Sequence, residues 1–233
     1  MQLLAPEKTK PTTDSSKPEI SGLKLSKTQV QQKLLIATNN AGKIREYLEL
    51  LPGIPFALAT PRSENLEGEV DETGTTFAEN ALLKALYFSS VSGLLTLADD
   101  SGLEVDALDG RPGIYSARYG GPNLGDEDRV DLLLSEMREV PWEQRTGRFH
   151  CVIAIAGPTG DQETIEESCE GYITYEARGP NGFGYDPIFY SLELGKTFAE
   201  VESSLKHKLS HRGKAARRAT ERLFAINRAS ETP

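Results

Sequence analysis

Short apolar runs and amphipathic stretches follow one another along the chain from residue 33 onward. Leu34, Leu35, Ile36 and Ala37 read as a buried strand. A tight polar loop follows and leads into a helix over about 43–51, which Pro52 and Gly53 halt. Residues 55–59 give another short strand, and an acidic loop comes next. Phe77, Ala81, Ala85 and Phe88 share one stripe of a helix running to about residue 92, with Thr76 and Glu79 spaced as a capping box. The apolar run 94–98 predicts a buried strand that ends abruptly at Asp99, Asp100, Ser101 and Gly102, where the chain emerges into a polar cleft. Val130, Leu133, Leu134 and Met137 line a helix over about 127–140, capped by Asp126. Residues 149–156 suit a strand buried on both faces, with His150 as an interior histidine, and residues 163–173 suit its antiparallel partner. A last helix over about 211–229 turns Ala215, Ala219 and Leu223 inward and leaves Arg217, Arg218 and Arg222 to solvent.

Residues 1–32 break this pattern: rich in Lys, Thr, Ser and Pro, they are expected to form a disordered extension ahead of a domain over 33–229. The net charge of −9 argues against a general nucleic-acid binder, which needs a basic surface to displace counterions. Two cysteines, Cys151 and Cys169, make no disulfide framework and share no metal-ligand spacing with the histidines, as expected of a reduced compartment. The longest uncharged stretch, 85–98, is too short and too rich in serine to span a bilayer, so no membrane partner is expected.

Three stretches carry candidate chemistry. Adjacent residues in an extended strand point to opposite faces, so Asp99 and Asp100 cannot share a role, and one of them can aim at a hard cation such as Mg²⁺. Thr38, Asn39, Asn40, Ala41, Gly42 and Lys43 join a strand to a helix start, where free amides, small residues and a lysine suit an anion. Around Phe183, Gly184, Tyr185 and Asp186, glycines free the backbone, two aromatics offer flat faces and a carboxylate offers an acceptor, as stacking and edge-reading of a nucleobase would need. Taken singly, each also reads as an ordinary turn.

Together with Thr73-Gly74-Thr75-Thr76-Phe77-Ala78-Glu79-Asn80-Ala81, Pro112-Gly113-Ile114-Tyr115-Ser116-Ala117-Arg118 and Leu209-Ser210-His211-Arg212-Gly213, these blocks stand in one order. That order resembles the non-canonical purine nucleoside triphosphate pyrophosphatases, also called dITP/XTP or inosine triphosphate pyrophosphatases. The resemblance implies an α/β fold: an elongated mixed β-sheet flanked by helices in two lobes, with a central nucleotide cleft. It also implies a cytoplasmic, homodimeric, Mg²⁺-dependent hydrolase that converts XTP, ITP or dITP to the monophosphate and pyrophosphate. Carried over residue by residue, Thr38 to Lys43 hold the triphosphate, Glu72 and Asp100 bind the metal, and Asp100 accepts the proton of the attacking water. Ser101 contacts substrate, and Phe183, Gly184, Tyr185, Asp186, Lys206, His211 and Arg212 enclose base and sugar. Lys84 and Arg118 fall at basic positions near the phosphates. Ala177 stands where many relatives have proline, and Glu69 and Asp71 compete with Glu72 as second metal ligand. A pyrophosphatase of modified pyrimidine nucleotides and a catalytically silent nucleotide binder are the alternative readings.

Overall fold

The computed structural model describes residues 31–68 and 70–230, so the expected extension lies almost wholly outside the described residues, as does Glu69. Seven strands form one mixed sheet in the order β2-β1-β3-β4-β5-β6-β7. Here β1 is Lys33–Ile36, β2 Ala57–Ala59, β3 Leu95–Val105, β4 Thr146–Ala156, β5 Gln162–Ile173, β6 Phe189–Ser191 and β7 Lys196–Thr197. β1 runs parallel to both β2 and β3, and every later pairing is antiparallel. The helices are α1 (Ala41–Leu50), α2 (Phe77–Ser92), α3 (Asp126–Glu136), α4 (Ser203–Leu209) and α5 (His211–Ser230).

Strand alternation sorts the core. Leu34, Ile36, Leu97, Ile153 and Ile155 pack with Tyr47 of α1 and with Ala215, Ala219 and Leu223 of α5. Leu35, Ala98, Val152 and Ala154 turn the other way, onto Phe77, Ala81, Ala85 and Phe88 of α2. Farther along, Leu103, Val105, Phe149 and Ile173 form a third cluster with Val130, Leu133 and Met137 of α3. No described helix is long and apolar enough to cross a membrane.

The strand through Asp99 and Asp100 does not stop there. It continues to Val105, paired along its whole length with β4, so the two acids sit mid-strand. Leu103 and Val105 resume the buried pattern, and the polar stretch between is held by ion pairs rather than by a turn. Gly102 is required: a β-carbon there would lie 2.4 Å from the Gly113 carbonyl oxygen and 2.5 Å from Ser116 Oγ. That close approach lets Ser116 Oγ accept the Leu103 amide at 2.8 Å.

Helix starts also shift. α1 begins at Ala41 because Asn40 caps it, Oδ1 accepting the Lys43 amide at 3.0 Å. α3 begins at Asp126 itself, with Asp128 accepting the Gly125 amide, and ends at Glu136. Thr76 caps α2 as expected, whereas Glu79 reaches the Thr75 amide at 2.6 Å. His150 is only partly buried and meets Glu166 at 2.7 Å. Arg218 and Arg222 pair with Glu167 and Glu163 of β5.

Candidate active site

A cavity of about 830 Å³ opens where α1, the middle of β3 and the loop after β5 meet. Thr38, Asn39, Asn40 and Lys43 line it. The first amides of α1 have no partner within the helix, and the helix start carries partial positive charge, so this edge is built for an anion. Ala41 is exposed, and Gly42 is buried for a packing reason: a β-carbon there would lie 2.8 Å from the Phe183 ring. Gly42 thereby lets the loop carrying Phe183 lie against the anion-facing turn.

Asp99 and Asp100 part company across β3. Asp99 turns toward α1 and α5, its Oδ2 accepting two hydrogen bonds from Arg212 at 3.1 Å and its Oδ1 lying 3.2 Å from Lys43 Nζ. Burial opposes its charge, but Lys43 and Arg212 outweigh burial and hold its carboxyl well below the usual range. Asp100 turns toward α2, where Lys84 Nζ lies 3.3 Å from Oδ1 and 2.8 Å from Glu72 Oε1. Arg118 closes the group on Glu72 at 2.8 Å. Asp100 Oδ2 is buried with no hydrogen-bond partner, and burial pushes this carboxyl up despite Lys84 and Lys43.

Behind the cavity runs a chain of buried charges. Glu46 of α1 accepts from Lys206 at 2.7 Å and from Arg212 at 2.6 Å. Lys206 continues to Asp186 at 2.5 Å, and Arg212 also reaches Ser101 Oγ at 2.6 Å. Burial alone would raise the Glu46 pKa, but the two cations bring it down to about 2. Phe183 lies over this pair, its ring centre 5.1 Å from Lys206 Nζ and 5.7 Å from the Arg212 guanidinium carbon. His211 stacks on Phe149 with ring centres 4.6 Å apart, and burial holds its imidazole well below the ordinary pKa, hence neutral.

The sequence-predicted site residues thus converge on one cavity, apart from Ala41 and Gly42, which do not line it. Two assignments change in detail. Tyr185 is no free stacking face, because it is buried and its hydroxyl donates to the Ser116 carbonyl at 3.0 Å. Asp186 Oδ2 is already taken by the Phe183 amide and Lys206, so it braces the loop. Lys84 points into the cavity rather than to water. Sequence reasoning missed Glu46, Phe149, Asp126 and Arg129.

The pair Glu72 and Asp100 offers hard oxygen donors, one of them unpartnered, inside a cavity rich in cations. Mg²⁺ takes one or two carboxylates and completes its shell with phosphate oxygens and water, so these residues fit it.

Known proteins resemble this chain in sequence and in fold. The sequence model of the Ham1 family matches residues 34–222. A dITP/XTP pyrophosphatase of Desulforamulus reducens is 50% identical over 189 residues, covering 81% of this chain and 94% of its own. That of Geobacter sulfurreducens is 49% identical over 183 residues, covering 78% and 92%. The solved structure of the Staphylococcus aureus Ham1 protein has a TM-score of 0.75 at 38% identity, across 84% of this chain and 100% of that one. With the family pattern running from β1 into α5 and the same fold in a relative at that identity, the chain belongs to the Ham1 family.

Proposed function

We propose that the chain hydrolyses XTP, ITP and dITP to the monophosphate and pyrophosphate, a reading supported by its likeness to dITP/XTP pyrophosphatases. The observation that carries this reading is Asp100: a buried carboxylate with an unpartnered oxygen, facing a cavity lined by Lys43, Lys84 and Arg118. A triphosphate repels a nucleophile, so these cations first hold and neutralise it. Asp100 orients a water in line with the α-phosphorus and accepts its proton, while the bond to the leaving pyrophosphate breaks. Burial keeps Asp100 a better base than an exposed aspartate. Glu72 and Asp100 would hold Mg²⁺, which when bound supplies further neutralisation of the phosphate oxygens.

At the other end of the cavity, Phe183 offers a face to the base, and Lys206, Arg212 and neutral His211 line the surface it would meet. Xanthine and hypoxanthine carry a 6-oxo acceptor where adenine carries an amino donor, so donors held there favour the oxo purines. Ser101 also lines the cavity, its Oγ held by Arg212 at 2.6 Å. The same reading includes a homodimer, a cytoplasmic location and a single catalytic domain over 33–229.

Product analysis tests it. After incubation with equimolar ITP, XTP, GTP and ATP plus Mg²⁺, ion-exchange chromatography should show IMP, XMP and pyrophosphate, with ATP and GTP persisting. Equal consumption of all four, or release of inorganic phosphate in place of pyrophosphate, overturns the assignment.

A further inference from the structure

One cation of the cavity stands apart from the rest. Lys43, Lys84, Arg118, Lys206 and Arg212 each have a carboxylate oxygen within 3.3 Å. Arg129, on the first turns of α3, also lines the cavity, yet its nearest carboxylate is Asp126, 3.5 Å from Nη1. That carboxylate is already shared, since Asp126 Oδ2 accepts the Gly184 amide at 2.9 Å. The Arg129 side chain is only 12% exposed, and its Nε is buried without a hydrogen-bond partner. A guanidinium has five donors in a fixed fork, and leaving buried donors unmet is unfavourable. Here the unmet donor, Nε, belongs to a group that borders the cavity and is tied, through Asp126, to the loop of Phe183 and Gly184.

We propose that Arg129 is a further substrate-contacting residue, donating to an acceptor oxygen on the nucleoside half of the bound nucleotide, either the base 2-oxo group or the ribose 2′-oxygen. The inference rests on the pyrophosphatase reading and extends it to specificity. Xanthine presents an acceptor at C2 and hypoxanthine only a C–H, whereas guanine presents an amino donor that would face the donors of Arg129. A contact at C2 therefore supplies the discrimination against GTP that the 6-oxo group cannot, because guanine shares that group. A contact at the ribose would instead favour ITP over dITP.

The test is kcat/KM for XTP, ITP, dITP and GTP with wild type, Arg129→Met and Arg129→Lys, each checked for folding by its urea midpoint. Methionine keeps the apolar stem and removes every donor. Expected is a selective loss of about tenfold or more in Arg129→Met, the scale of a hydrogen bond to a charged group, with part of it restored in Arg129→Lys. Loss confined to XTP, with GTP hydrolysis rising, assigns the 2-oxo group; loss on XTP, ITP and GTP but not dITP assigns the 2′-oxygen. Equal loss on all four, or values matching wild type, overturns the inference while the functional reading stands. A wild type that releases no pyrophosphate from any of them overturns both.

Discussion

Asp99 and Asp100 are neighbours on one strand, and the molecule treats them in opposite ways. On the α1 and α5 side, Asp99 belongs to a closed circuit in which Lys43, Arg212, Glu46, Lys206 and Asp186 are joined by contacts of 2.5 to 3.2 Å. On the α2 side, Asp100 keeps an oxygen without a partner, and its Lys84 is shared with Glu72. The electrostatics follow the wiring: the two cations on Asp99 overcome its burial and stabilise the charged form, while burial of Asp100 wins over its cations. Each acid has one buried oxygen without a hydrogen bond, but that of Asp99 is held 3.2 Å from Lys43 Nζ and lies off the cavity, whereas Asp100 lines the cavity and is left to act on a ligand. Because strand alternation alone separates the two sides, a framework and a reactive group can occupy consecutive residues.

The closed side is where the largest stability losses should fall. Glu46→Ala strips acceptors from Lys206 and Arg212 at once and should destabilise the fold by about 3 to 5 kcal/mol, the range for removing one partner of a buried ion pair, read from the urea midpoint. Acid should give a somewhat smaller effect through the same carboxylate. Glu46 has a folded pKa of about 2 against its ordinary 4.5, so its contribution is complete above that ordinary value and vanishes as pH falls through 2. The loss is about 3 kcal/mol by proton linkage, and urea midpoints measured across that window should flatten in Glu46→Ala. A wild-type midpoint that does not fall on acidification would mean that the circuit is no framework.

Much of this arrangement was legible in the chain. Apolar spacing gave α1, α2, β4, β5 and α5 to within a few residues, and alternation alone put Asp99 and Asp100 on opposite faces. The continuation of β3 was hidden because Asp99, Asp100, Ser101 and Gly102 look like a turn until their partners are known. Those partners come from Lys43, Lys84 and Arg212, far away in sequence. Glu46 was illegible for the same reason, lying 160 residues from Lys206 and 166 from Arg212. Arg145 is the extreme case: fully buried, it donates to the carbonyls of Met137, Ile173 and Thr174 and lies over the Tyr175 ring, and no local pattern announces an arginine whose hydrogen bonds go to backbone. β6 and β7, with three and two residues, are too short to show a period.

The central claim, that the open side of β3 does the chemistry while the closed side holds the fold, is tested most directly by Asp100→Asn. Turnover of ITP and the urea midpoint should be measured on the same preparation. Turnover should fall by about 10² to 10⁴, the range for losing a general base. The midpoint should stay near wild type, because burial already disfavours the Asp100 charge. Turnover within a few-fold of wild type, or a stability loss as large as that of Glu46→Ala, would contradict the division between the two faces.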